Sequence, residues 1–361
     1  MSEPLPTPDG TPDDDAPDLL LTGLLFYDLV FTGLGQPPVP GEEIWTQGMG
    51  SGPGGIANLA VAAARFGLRT SLATVFGDDF YGRYCRGVLA GQEGIDLSLS
   101  RTAPAGWHTP VTVSLALGED RALVTNGHEP PYSQDELILD PPPSSSSRGY
   151  PLAARSALVH IGSEPQQWLA KAAASGTKIF ADVGWDPSRQ WSSDVLDQLS
   201  LCHAFLPNEG EAMAYTRTDT PTAALHALSD LVPVAVVTRG RDGAIAVDQS
   251  TGEFAEAGAL DIDVLDATGA GDVFGASFVA ASLAGWPLAE RLRFAALAAG
   301  LSVRRHGGAL AAPGWGGVAE WWRGVAADPG AEALRREFGF LADRIPTDPG
   351  PPPPRAPVTP P

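Results

Sequence analysis

Cysteine is scarce in this chain. Cys85 and Cys202 are the only two in 361 residues, and neither sits in a C-x-x-C or zinc-ligand spacing. A disulfide framework and a structural zinc site are thereby excluded. Positive charge is scarce as well: 23 Lys and Arg stand against 43 Asp and Glu, for a formal net charge of -20. A nucleic-acid surface needs basic patches, so no nucleic-acid partner is expected. Long-range attraction for anions is missing too. Any phosphate site must therefore be local, built from backbone N–H groups, an arginine or a metal ion. The only lysines, Lys171 and Lys178, do not follow glycine in the Walker pattern, which excludes a P-loop. No apolar run approaches the roughly 20 residues that span a bilayer, so no membrane partner is expected. The opening MSEPLPTPDGTPDDDAPD has neither the basic nor the apolar region of a signal peptide, and a cytoplasmic location is the expectation.

What is present is a long alternation of apolar strands and amphipathic helices, in a chain that is 43% hydrophobic. Residues 1–17 read as a disordered acidic tail and 343–361 as a Pro-rich disordered tail, leaving 18–342 as one α/β domain. DPPPSSSSRGYP, 140–151, reads as a surface loop within it. Strands are predicted over 19–31, 70–77, 157–162, 177–184, 204–208 and 234–240. Helices are predicted over 54–67, 78–94, 165–176 and 209–216, from the 266–272 segment to about Leu283, and over 288–304. This order implies a mostly parallel sheet covered on both faces. Two stretches break it: 109–126, which alternates and turns at Gly118-Glu119-Asp120, and the segment 32–50. They are expected to form a small separate sheet, a lid.

Four short motifs carry chemistry. In DATGAGDVFGASF, residues 266–278, glycines precede a carboxylate at the mouth of an apolar helix. Gly269, Ala270 and Gly271 let a ligand approach the backbone, where free N–H groups and roughly half a positive charge make an anion hole. Asp272 stands beside it as a base. That combination suits activation of a hydroxyl for attack on a phosphoryl group. Alone, the stretch is equally a Gly-rich helix start. A dinucleotide fingerprint is excluded, because the position needing glycine is Phe274. The second motif is Gly54-Gly55-Ile56-Ala57-Asn58, opening a helix, with Asp28 at the end of the first strand. These can bind a polyol, though Asp28 alone is better explained as a strand-end cap. The third, Pro207-Asn208-Glu209-Gly210-Glu211, offers oxygen ligands suited to Mg²⁺, or a simple helix cap. The fourth, Val237-Thr238-Arg239-Gly240-Arg241-Asp242-Gly243, is either a hairpin turn or a nucleotide phosphate contact.

In this order, over about 18–320, the four motifs resemble the ribokinase-like (PfkB) family of carbohydrate kinases. The resemblance implies a three-layer sandwich with a mostly parallel central sheet and a β-sheet lid from about 32–50 and 107–126. It implies transfer of the γ-phosphoryl group of Mg·ATP to a sugar hydroxyl. Asp272 matches the catalytic base, and Gly269, Ala270 and Gly271 match the anion hole. Asp28, Gly54, Gly55 and Asn58 match sugar-binding positions. Asn208, Thr238, Gly240, Gly243 and Gly271 match nucleotide contacts. Asn208 and Glu211 match the pair that organises Mg²⁺ through water, and Asp266 and Thr268 positions that shape a K⁺ site. A homodimer formed through the lid is also implied. Two alternatives stay open: a nucleoside kinase, with Trp45 or Trp107 against a base, and a catalytically silent sugar or nucleotide sensor. Arg121 is the candidate second anion site for a sugar-phosphate kinase.

Overall fold

The computed structural model describes residues 16–117, 120–142, 151–184, 186 and 188–353. Residues 1–15, 118–119, 143–150, 185, 187 and 354–361 lie outside the described residues, and with them most of the predicted acidic tail and most of the predicted 140–151 loop.

In chain order the strands are β1 (Leu19–Thr22), β2 (Leu25–Thr32), β3 (Gly48–Gly55), β4 (Thr70–Ala73), β5 (Val75–Phe76), β6 (Arg101–Thr102), β7 (Val111–Leu117), β8 (Asp120–Asn126), β9 (Ser156–Ile161), β10 (Lys178–Val183), β11 (Ala204–Phe205), β12 (Val234–Thr238), β13 (Ala244–Asp248) and β14 (Glu253–Ala257). The helices are α1 (Ile56–Arg65), α2 (Phe80–Arg86), α3 (Gln134–Leu139), α4 (Gln167–Ala174), α5 (Asp194–Asp197), α6 (Glu209–Thr216), α7 (Pro221–Ser229), α8 (Ala270–Leu283), α9 (Leu288–Ser302), α10 (Gly314–Ala327), α11 (Glu332–Phe338) and α12 (Leu341–Arg344).

Eight strands form the central sheet in the order β14-β13-β12-β11-β10-β9-β1-β4. It is parallel from β12 to β4, and β13 and β14 add an antiparallel edge. Its strands are buried on both faces, which is why they read as unbroken apolar runs. Successive residues feed opposite layers. Leu19, Leu21, Leu158 and Phe180 pack with α1, α8, α9 and α10, whereas Leu20, Ala157, Val159 and Ile179 pack with α4 and α7. The result is helix layer, sheet, helix layer.

A second sheet, β3-β2-β7-β8, stands over one edge of this body as a lid. Here the sequence expectation needs correction. The run 19–31 is two strands in two sheets, parted at Gly23-Leu24, and β2 belongs to the lid. An apolar run hides such a boundary because both halves share one period. Gly54 and Gly55 end β3, and Gly55, with a positive φ of 60°, is at the same time the N-cap that opens α1. Of the segment 32–50, only Thr32, which ends β2, and residues 48–50, which open β3, lie in strands.

The strand β3, GMGSGPGG, has glycine at every second position. Gly48, Gly50, Gly52 and Gly54 share one face of the strand, and the first three meet the body. A Cβ at Gly48 would strike His306, at Gly50 the Gly307 backbone, at Gly52 Leu310 and at Gly54 Asp28. With no side chains in the way, the lid edge lies directly on the 306–310 segment. Arg65 fixes that segment from below, donating to the carbonyls of Leu310 (3.0 Å) and Ala312 (2.7 Å) while Glu93 holds its guanidinium at 2.7 Å.

Helices α3, α5, α7, α10, α11 and α12 have no counterpart in the sequence expectation. Val318, Phe338 and Leu341 join the main core. Beyond α12, within the stretch assigned to the Pro-rich tail, the chain lies against the body: Arg305 donates to the Pro353 carbonyl at 2.8 Å.

Candidate active site

The helix α8 begins at Gly269, whose backbone is left-handed (φ 77°), a conformation that costs glycine little. The same residue is also tightly approached, since a Cβ there would lie 3.1 Å from the Asn58 side chain. Ala270 turns its N–H back to the Ala267 carbonyl at 3.3 Å. The first-turn N–H groups of Gly271 and Asp272 have no intrahelical acceptor, and Gly269 has no side chain to cap them. An anion placed there also meets the positive end of a helix of 14 residues.

Asp272 lies in that first turn. Asn58, reaching across from α1, donates Nδ2 to Asp272 Oδ2 at 2.8 Å. Asn58 is buried, and its Oδ1 has no hydrogen-bond partner among the described residues. Such an atom is costly to bury unless a ligand donor completes it. Burial pushes the Asp272 carboxyl above the usual carboxylate range, opposed by the charge of His160, the Asn58 hydrogen bond and the charge of Arg121.

Asp28 faces this pair from the middle of β2, not from the end of a core strand as its sequence position suggested. It is 6% exposed and accepts no hydrogen bond from the described residues. Its carboxyl is pushed up to about 7, by burial first and then by the charges of Asp272 and Asp266, with Arg121 pulling the other way. The lid and the motif also touch at Ser114 and Thr268, whose hydroxyls are 3.4 Å apart. Asp28, Asn58, Gly269 and Asp272 therefore surround one cleft, with Gly308 at its wall: a Cβ there would be 3.2 Å from Asn58 Oδ1 and 3.5 Å from Asp28 Oδ2.

Asp266 sits below the motif and ties it together. Its Oδ1 accepts from the Thr268 N–H at 2.9 Å and its Oδ2 from the Gly307 N–H at 3.3 Å. One oxygen thus holds the motif and the other the 306–310 segment, and the Thr268 hydroxyl turns to the lid.

Asn208 and Glu211 form a reciprocal capping box at the start of α6: each side chain accepts from the other's backbone N–H at 3.0 Å. The cap is real, but Glu211 is not a solvated turn residue, since burial raises its carboxyl. Thr238 bridges to Asn208 at the neighbouring strand end. Gly243 is required by packing, because a Cβ there would lie 1.9 Å from the Ala257 carbonyl. Gly240 has a left-handed backbone (φ 54°) in the same turn.

Two residues of the site escape sequence reasoning. His160 is the next-to-last residue of β9, and its Nε2 lies 4.0 Å from Asp272 Oδ1. Asp182 is its register partner on β10. Burial, reinforced by the charges of Glu211 and Asp272, holds the Asp182 carboxyl well above its ordinary range. The one available signal is position: both lie near the carboxyl ends of parallel strands, where open α/β sheets place ligands. The acidic pair Asp182 and Glu211 fits a hard cation such as Mg²⁺, which takes one or two carboxylates and keeps its remaining positions for water and phosphate. Among the described residues no group of three or more His, Cys, Asp or Glu forms a self-sufficient metal cage.

The chain thus combines a three-layer α/β body and a β lid with a Gly-rich helix mouth beside a carboxylate. Residues 16–314 match the pfkB family carbohydrate kinases, and the chain belongs to that family. It is 24% identical over 295 residues to the 5-dehydro-2-deoxygluconokinase of Shouchella clausii, covering 76% of this chain and 86% of that one. It is 27% identical over 293 residues to the ATP-dependent ribose-1-phosphate kinase of Halopiger xanaduensis, covering 80% and 93%. A putative ribokinase II from E. coli, solved with ATP and Mg²⁺, superposes with a TM-score of 0.66 at 19% identity over 82% of this chain and 96% of that one. The fold is ribokinase-like.

Proposed function

We propose that this protein is an ATP-dependent sugar kinase. The observation that carries it is the Asn58–Asp272 pair: a base held at the mouth of α8, beside a buried amide oxygen that awaits a donor. An acceptor hydroxyl donates to Asp272, while its neighbouring hydroxyls bond to Asn58 Oδ1 and Asp28. The acceptor oxygen attacks the γ-phosphorus, a new O–P bond forms and the bond to the ADP oxygen breaks. The hydroxyl proton ends on Asp272. The Gly271 and Asp272 N–H groups stabilise charge on the transferring group. Asp182 and Glu211 would hold Mg²⁺ through water, and that ion neutralises phosphate charge when bound. The relatives support the reading, being kinases named for a sugar acid and a sugar phosphate.

The test is ADP formation from Mg·ATP across neutral sugars, sugar acids, sugar phosphates and nucleosides. Turnover with a sugar class is expected. Tight binding without any turnover would replace the kinase with a sensor, and preference for nucleosides would move the acceptor class.

The lid supports a homodimer. Its outer face carries two apolar rows across the strands, Leu29–Val113–Val124 and Met49–Phe31–Leu115. Met49 is 54% and Val124 64% exposed, so a second lid can bury them. Val124→Arg is expected to convert a dimer into a monomer in sedimentation velocity. A wild-type chain that sediments as a monomer at micromolar concentration would refute the lid contact.

A further inference from the structure

The lid register identifies which of its side chains look into the cleft. Side chains alternate along a strand, so the face that carries Asp28 on β2 carries Thr112 and Ser114 on β7. Cross-strand pairing extends that face to Thr125 and Leu123 on β8, and the next pair along is Ala116 with Arg121. Thr112 and Ser114 are buried, and Ser114 meets Thr268, so this is the face over the motif. Arg121 therefore projects from the inner face, one strand beyond β7 and two rows from Asp28. With about 3.4 Å per residue over four residues and about 4.8 Å across each of two strand spacings, the two Cα atoms are roughly 17 Å apart. An extended arginine spans only part of that distance, which leaves room for a sugar-length carbon chain between its guanidinium and Asp28. The guanidinium's charge reaches both Asp28 and Asp272, favouring the ionised form of each.

Among the described residues named on that face, Arg121 is the one cation. Hydroxyl groups need no cation for recognition: Asp28 and Asn58 already offer them acceptors. A planar guanidinium matches a carboxylate or a phosphate, which it can grip with two parallel N–H groups. In a chain of net charge -20, with Asp28, Asp266 and Asp272 around the cleft, an anionic acceptor would be repelled without a local cation. Arg121 is exposed at the lid's inner face and able to meet it.

We propose that the acceptor is an acidic sugar. It carries a carboxylate or phosphate at the end remote from the hydroxyl that is phosphorylated, and Arg121 binds that anion. This rests on the kinase reading above and narrows it.

The experiment compares 5-dehydro-2-deoxygluconate and ribose 1-phosphate with neutral ribose and fructose as acceptors for Mg·ATP, in the wild type and in Arg121→Gln and Arg121→Lys. The first two separate a carboxylate from a phosphate. An anionic acceptor is expected to have the highest kcat/KM. Arg121→Gln is expected to cut the anionic-to-neutral selectivity by about 10- to 100-fold, mainly through KM, as for loss of a charged hydrogen bond. Arg121→Lys, which keeps the charge but not the fork, should restore part of it. If neutral sugars are preferred and the ratio is unchanged in Arg121→Gln, the acidic acceptor is refuted and the kinase stands. If no acceptor yields ADP, both fall.

Discussion

Asp272→Asn is expected to fold normally and to lose turnover by about 10²–10⁴-fold, the usual contribution of a general base. The amide matches the carboxylate in shape and can still accept from Asn58 Nδ2, which holds Oδ2 at 2.8 Å in the wild type. What it cannot do is take the proton. KM for the acceptor should change far less than kcat, because Asp28 and Asn58 still hold the hydroxyls. The wild-type rate should fall on the acid side with a midpoint above the ordinary carboxylate range, since burial raises the Asp272 carboxyl. That acid limb should vanish in the variant. Steady-state kinetics against pH, with thermal unfolding as the folding control, make the measurement. Turnover within a few-fold of wild type would remove Asp272 from the role.

Asp28→Asn is expected to do two opposite things: weaken acceptor binding severely and stabilise the protein. The carboxyl is buried, titrates near 7 when folded and has a reference value of 3.8. Between those values the native state keeps a proton that the unfolded chain has released. The group's contribution to stability therefore declines as pH rises from about 4 to about 7, and stays at its lowest above that. Removing the charge relieves a cost on the order of a few kcal/mol at pH 8, since each tenfold change in proton affinity corresponds to about 1.4 kcal/mol. Melting temperature at pH 8 should rise in Asp28→Asn, and the gap to wild type should shrink toward pH 4. Acceptor KM should increase by roughly tenfold or more, as for a lost hydrogen bond to a charged group. An unchanged KM would take Asp28 out of the acceptor site, and a lower melting temperature at pH 8 would contradict the buried charge.

Much of the site was legible in the chain itself. DATGAGD followed by an apolar run announced a helix mouth with a carboxylate, because only glycine takes the Gly269 backbone readily and only small residues leave the N–H groups open. GGIAN placed Asn58 in a helix packed against it. The central strands were visible because burial on both faces demands continuous apolar sequence. Asn208 and Glu211 were equally visible, but their spacing suits a capping box as well as a metal ligand, and the structure shows the box.

The rest was decided by tertiary pairing. Asp28 moved from the body to the lid because β2 pairs with β3 and β7, and nothing in an apolar run marks that change of sheet. His160 and Asp182 joined Asp272 because neighbouring parallel strands end side by side, although a long stretch of chain separates Asp182 from Asp272. Arg121 faces the cleft for a similar reason. A period of two says that side chains alternate, but which set faces inward is chosen by register against strands far away in sequence. Local sequence determined the backbone shapes and the chemistry available at each. Only the packing of distant segments, driven by burial and backbone hydrogen bonding, decided which of those groups share one cleft.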